Sequence, residues 1–144
     1  MLFLVHHADA VDGLVDPQRP LSERGHAHAE ALAARVAGRN AKPSVIWHSG
    51  KLRARQTAEY FWRACNPLAT FAAVHGLQPD DPPRWILDVV DSDPRDIMLV
   101  GHMPHLPRLL DELSRGSGNT HAFPAHGCVA MEQQEGQWRE SWRE

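Results

Sequence analysis

Short unbroken apolar runs alternate along this chain with longer segments whose apolar residues recur on one face. "MLFLV" at the start, "SVIW" at 44–47 and "DIMLVG" at 96–101 are bulky and continuous, the pattern of strands buried on both faces. "ATFAAV" at 69–74 is a weaker strand. Between them, "LSERGHAHAEALAARVAGR" predicts a helix capped by Ser22, with Leu32, Val36 and the intervening alanines as its apolar face. "KLRARQTAEYFWRAC" places Leu52, Ala54, Thr57, Ala58, Phe61 and Cys65 at helical spacing. "PRWILDVVD" predicts a short helix capped by Asp81, and "HLPRLLDELSRG" a last helix stopping at Gly116. Residues 9–20 are polar with Gly and two prolines, hence a loop. "GCVAMEQ" and "QWRESW" close the chain as antiparallel strands about a Glu135-Gly136 turn, with Trp138 and Trp142 as packing residues.

Strands alternating with helices predict an α/β fold, a compact three-layer sandwich with a mainly parallel central sheet. The length fits one domain over residues 1–144. In such sheets ligands bind beyond the carboxyl ends of the strands. The first four predicted strands end at His6-His7, His48-Ser49, His75-Gly76 and Gly101-His102. Each therefore delivers a histidine to one edge, which predicts a site there. Taken singly, a strand-end histidine is a surface residue and Arg53 a solvated helix residue. His26 and His28, on one helix, are expected to face solvent, and His126 is an open candidate.

Ten histidines in 144 residues are the compositional outlier. A net charge of −3 gives no basic footprint for nucleic acid. Cys65 and Cys128 lack framework spacing and are expected to be buried free thiols. The opening apolar run is too short for a signal-peptide core or a membrane span, so a soluble, cytoplasmic protein with no membrane partner is expected.

Several of these stretches are similar to motifs of one family. "LFLVHHADA" resembles the hydrophobic-V-R-H-G/A opening of the histidine phosphatase superfamily. "DPQRPLSERGHAHAEALA" resembles the D-x-x-R-P-L-T/S-x-x-G-x-x-x-A stretch of its small phosphohistidine phosphatase (SixA-like) branch. "HSGKLRARQTA", "LVGHMPHL" and "FPAHGCVAME" resemble later motifs of the family, in its order. The resemblance implies a phosphoglycerate-mutase-like fold and a phosphatase working through a phosphorylated His7. Arg53 then clamps phosphate, and His102 is the second pocket histidine. His6, Ser49, Arg19, Gly101 and His105 surround the substrate. No metal or other cofactor is implied, because the donors neutralise the charge themselves. The implied partner is a phosphorylated protein, with a small phosphoester second.

One position departs from the family. Arginine normally precedes the nucleophile, and here it is His6. Histidine offers fewer donors and no permanent charge. Loss of one preorganised donor typically costs about 2–4 kcal/mol of transition-state stabilisation. His6 is expected to clamp only when protonated, near pH ~6.5, while His7 needs a free lone pair, which predicts a narrow pH window. Met103 and His105 depart less sharply, and the general acid is open, with Asp80 and Asp81 as weak candidates. Two rival readings follow: a weakened or inactive pseudo-phosphatase that binds phosphorylated ligands, and a metal site built from His6, His7, His102 and His105.

Overall fold

The computed structural model of the chain describes residues 1–13, 15–115 and 122–144. Strand β1 (Leu2–His6) leads to helix α1 (Glu23–Gly38), β2 (Val45–His48) to α2 (Leu52–Cys65), and β3 (Thr70–Ala73) to α3 (Pro83–Asp91). Strand β4 (Ile97–Gly101) precedes α4 (His105–Leu113), and β5 (Cys128–Gln134) forms a hairpin with β6 (Gln137–Arg143). One six-stranded sheet results, in the order β3-β2-β4-β1-β5-β6. The first four of these are mutually parallel, and β5 and β6 are antiparallel additions at one side. The fold is therefore the expected α/β class with a mainly parallel sheet flanked by helices.

Alternation along each strand divides the core in two. Leu2, Leu4, Val45, Ile97, Leu99 and Val129 face one way and pack against Ile86 and Val90 of α3 and Leu106 and Leu109 of α4. Phe3, Val5, Ile46, Met98, Val100 and Ala130 face the other way, onto Leu32 and Val36 of α1 and Ala54 and Phe61 of α2. Burial of each such side chain is worth about 1.5–3 kcal/mol, so both faces of the central strands have to be covered. Cys128 is buried among the second group and Cys65 is half-buried beside it, both as free thiols. Trp142 packs on Phe3 with ring centroids 6.0 Å apart. Trp138 lies against the opposite face, its indole N–H without a partner among the described residues.

Local signals explain most boundaries. Ser22 caps α1 by accepting from the Gly25 N–H at 3.0 Å. Glu135 and Gly136 both have positive φ, 53° and 77°, as a two-residue turn matched to strand twist requires. One capping expectation is corrected. Pro82, not Asp81, precedes α3, and the Asp81 carboxylate instead accepts from the Gln78 N–H at 2.9 Å. Lys51 precedes α2. The 9–20 loop contains a short 3₁₀ turn at Asp16–Gln18 and an Ala10–Leu21 bridge. Gly116, the expected stop of α4, lies outside the described residues. Among those residues no helix is long and apolar enough to cross a membrane.

Gly25 is the point where α1 meets the loop leaving β1. A Cβ there would lie 2.0 Å from the Asp9 carbonyl oxygen, whereas one at Gly38 in the same helix would meet nothing within 4 Å. Alanine favours a helix over glycine by about 1 kcal/mol. Gly38→Ala should therefore leave stability unchanged or raised by up to about 1 kcal/mol. Gly25→Ala should lower it by about 1–3 kcal/mol, because the backbone it strikes cannot turn aside. Urea midpoints of the two variants check this.

Candidate active site

Strand register assembles the site. His6 pairs with Gly101 across the parallel β1–β4 ladder, so the next residues, His7 and His102, leave the sheet side by side. Their rings lie 5.0 Å apart. On the other side of β4, His48 pairs with Val100, which sets Ser49 level with Gly101 and next to His102. The Ser49 hydroxyl and His102 Nε2 are 2.6 Å apart. Ser49 Oγ also accepts from the Lys51 N–H at 3.3 Å. His102 Nδ1 is buried with no partner among the described residues.

Neighbouring carbonyls and N–H groups fix the other rings. His7 Nδ1 lies 2.7 Å from the Ala8 carbonyl, an acceptor only, so it donates and the lone pair resides on Nε2. The Ala8 N–H donates to Thr57 Oγ1 at 3.0 Å, and that hydroxyl donates to the Arg53 carbonyl at 2.8 Å. The exit of β1 is thus tied to the first turns of α2. His6 Nδ1 accepts from the His126 N–H at 2.8 Å, which puts the His6 proton on Nε2.

Arg53 projects from the start of α2 and is 5% exposed. Its Nη1 donates to the Asp16 carbonyl at 2.8 Å, and Nη2 lies 3.2 Å from the Asp16 carboxylate. Lys51 binds the same carboxylate. The Lys51 bond, with Arg53 adding its charge, holds the Asp16 carboxyl down at about 2. Arg53 Nε is likewise buried with no partner among the described residues. These two unpartnered nitrogens belong to residues coupled electrostatically to His7 and to each other.

Burial, assisted by these positive neighbours, keeps the imidazoles neutral. His6 is lowered to about 3, chiefly by burial and then by His7, His126 and Arg53. His7 is lowered to about 4 by burial and Arg53, against the raising effect of its bond to Ala8. His102 is lowered to about 2 by burial, His7 and Arg53. The expected cationic clamp at His6 and the narrow pH window are both corrected by this. In the unliganded protein His6 is a neutral single donor, and His7 retains its lone pair down to about pH 4.

Of the other predicted site residues, Gly101 contributes its carbonyl, which accepts from the His7 N–H at 3.1 Å. A Cβ there would meet only ordinary contacts, so close backbone approach is not what the position requires. Arg19 orders the loop: Nε donates to the Val11 carbonyl at 2.7 Å and the guanidinium pairs with Asp12 and Asp16. His105 does not join the cluster; it is fully buried in the first turn of α4, with neither ring nitrogen hydrogen-bonded. Two of the four strand-end positions fail to converge. His48 accepts from the Gly50 N–H and packs on Phe71, and His75, beyond the end of β3, stacks on Trp85. His26 is half-buried with Nδ1 2.8 Å from the Tyr60 hydroxyl, while His28 is exposed, its ring edge-on to His126.

The metal reading meets a tautomer conflict. With His105 elsewhere, the compact histidine set is His6, His7 and His126, whose candidate ligand nitrogens lie within 4.8 Å of one another. His126 Nδ1 lies 2.7 Å from the His7 carbonyl and so carries its proton. Free lone pairs are thus present on Nε2 of His7 and His126 only, because His6 Nε2 is protonated. Two ready ligands do not make a structural or catalytic metal set.

The sequence of residues 6–78 matches the histidine phosphatase superfamily (branch 1), and the chain belongs to that superfamily. Its structure is similar over nearly the full length to SixA proteins. A provisionally assigned phosphohistidine phosphatase SixA from Agrobacterium tumefaciens is 26% identical with a TM-score of 0.84, covering 99% of this chain and 95% of that one. A second such SixA, from Nakamurella multipartitia, is 25% identical with a TM-score of 0.77, covering 90% and 82%. A protein histidine phosphatase SixA complexed with tungstate shares the fold, at 22% identity, TM-score 0.84 and coverage of 99% and 94%. No match to a curated protein sequence was found.

Sequence reasoning missed Asp16, Lys51 and Thr57, and left His126 undecided. The D-x-x-R-P spacing was a signal for Asp16, whereas nothing local marks His126, which reaches the site from 119 residues away.

The neutral histidines have a stability consequence. In the unfolded chain a histidine titrates near pH ~6.5, while His6, His7 and His102 stay neutral in the fold far below that. Above the unfolded value neither state binds the proton. As pH falls from about 6.5 toward about 4, the unfolded chain takes up protons that the fold refuses, so stability falls, by at most about 1.4 kcal/mol per pH unit for each residue. His48 and His105, also lowered by burial, act in the same direction. The urea midpoint should drop between pH 6.5 and pH 5, and His102→Asn should make that drop shallower by about one proton.

Proposed function

We propose that the protein is a metal-independent phosphatase that transfers a phosphoryl group to Nε2 of His7 and then to water. The observation that carries this reading is the fixed tautomer of His7. Its Nδ1–H is held by the Ala8 carbonyl, so an uncommitted lone pair resides on Nε2 beside His102 and under the field of Arg53. An imidazole lone pair attacks phosphorus in line, and the electron pair of the breaking bond leaves with the leaving group. Because Nδ1 keeps its proton, the phosphorylated ring is cationic, which weakens the N–P bond toward attack by water.

Charge on the transferring group has to be met by donors already in place. Arg53 Nε and His6 Nε2–H are available, and His102 Nδ1 joins them when Ser49 donates to His102 Nε2. Lys51 and Arg53 already hold the Asp16 carboxylate, so this corner is built to bind an anion. The favoured substrate is phosphohistidine on a protein, whose labile P–N bond asks little of a general acid. A small phosphomonoester is the second reading. Asp16, held ionised by its cations, does not supply that acid. The pseudo-phosphatase reading is separated by turnover: it requires binding of phosphorylated ligands without hydrolysis.

His7→Ala should remain folded, abolish turnover of both a phosphohistidine protein and an aryl phosphate, and prevent labelling by a radioactive phosphoryl donor. Arg53→Ala should lower kcat/KM by about 100-fold or more, on the scale of a lost charged donor. Arg53→Lys should recover only part of it, since a point charge lacks the fork. Turnover by folded His7→Ala above a few per cent of wild type would exclude the covalent route.

A further inference from the structure

We propose that His6 and His126 act together as a two-imidazole fork that grips a phosphoryl dianion, with His126 taking up one proton as the anion binds. This rests on the phosphatase reading of the His7 site. The two rings are nearly parallel, 6° apart in plane, with centroids separated by 4.8 Å. His126 is 6.1 Å from His7, so the pair flanks the reacting nitrogen.

The pair is locked in place. The His126 N–H donates to His6 Nδ1 at 2.8 Å, and His126 Nδ1–H donates to the His7 carbonyl at 2.7 Å. The His6 N–H in turn donates to the Gly127 carbonyl at 3.0 Å. His126 holds a φ of 51°, a conformation that non-glycine residues rarely adopt. Gly127 beside it has no room for a side chain: a Cβ would lie 2.5 Å from the Glu144 carbonyl and 2.7 Å from Pro124. The His126 ring cannot swing away without breaking its bond to the His7 carbonyl and its stack on His6, so it belongs to the site.

Tautomers assign the proton. His6 presents Nε2–H and donates as it stands. His126 presents a lone pair on Nε2, which repels a dianion until a proton is added there. His6 cannot accept that proton, because a hydrogen on Nδ1 would oppose the His126 N–H. His7 cannot accept it and still attack phosphorus. Binding is therefore dianion plus one proton from solvent, giving two forward N–H donors and one positive charge, which is what a single guanidinium supplies. The groups facing His126 are His6 and His7 from β1, Asp9 just beyond them, and His28 from α1. The Asp9 carboxylate, which Arg24 of α1 shares at 3.1 Å, favours the cation, and His28 is exposed.

Tungstate tests this, because it stays a dianion at pH 8 and cannot supply the proton itself. Calorimetry in two buffers of different ionisation enthalpy should show uptake approaching one proton per anion in the wild-type protein. The tungstate Kd should rise by up to tenfold per pH unit above pH 7. In His126→Asn, which keeps the backbone N–H and tolerates positive φ, uptake should fall to near zero and the pH dependence should flatten. Histidine ring ¹⁵N shifts of the wild-type protein report the same protonation without any substitution. Uptake that persists in His126→Asn, or ¹⁵N shifts that put the proton on His7, would overturn the fork. Wild-type turnover of an aryl phosphate with no proton uptake would overturn the fork and leave the phosphatase reading standing. Absence of both turnover and tungstate binding would remove both.

Discussion

The two backbone polar groups of Ala8 set the state of His7 and tie it to the frame. The carbonyl holds the His7 Nδ1 proton, and the N–H is held by the Thr57 hydroxyl, which is bonded in turn to the Arg53 carbonyl. Turning the carbonyl away would release the tautomer of His7, and turning the N–H away would detach β1 from the helix turn that carries Arg53. The loop just beyond is pinned as well, since Asp9 accepts at its carbonyl from the Ser22 N–H while Gly25 lies against the same oxygen. The nucleophile is therefore positioned by α1 and α2 pressing on the exit of β1, and those helices are held there by the apolar face of the sheet.

Electrostatics and packing act in the same direction at this edge. Burial favours neutral imidazoles, and Arg53 favours them further, with Lys51 adding to the effect at His102. The permanent cations Arg19, Lys51 and Arg53 all pair with Asp16. An arriving phosphoryl group competes with a carboxylate held by three contacts. Unpaired buried donors cost about 1–3 kcal/mol each, so Arg53 Nε and His102 Nδ1 are a standing penalty in the free protein. An anion that satisfies them recovers that penalty, which makes affinity a property of vacancies in hydrogen bonding more than of net charge.

The fold was legible because its signals are local. Continuous apolar runs marked the strands, Ser22 marked a cap, and Glu135-Gly136 marked the hairpin. The site was legible only in outline. The rule that ligands lie at the carboxyl edge pointed to the place where His7 and His102 meet, but it cannot say which way a side chain turns on leaving the sheet. His48 and His75 therefore turned out to pack on Phe71 and Trp85. His105 opens α4 and is turned fully into the interior. His126 escaped because its role depends on a positive φ and on contacts with β1, neither of which is written in the residues next to it.

The replacement of arginine by His6 is better understood with His126 in view. A lone histidine at the end of β1 would offer one neutral donor and leave a gap where a longer side chain would lie. The ring of His126 fills the stacking position over His6, and its backbone N–H dictates which His6 nitrogen carries the proton. Restoring arginine at position 6 would remove that acceptor and press against a ring that a hydrogen bond to the His7 carbonyl holds in place. The departure from the family pattern is thus not a single substitution but a change in two segments joined by one hydrogen bond. Its physical effect is to convert a permanent charge into one that the bound anion has to recruit.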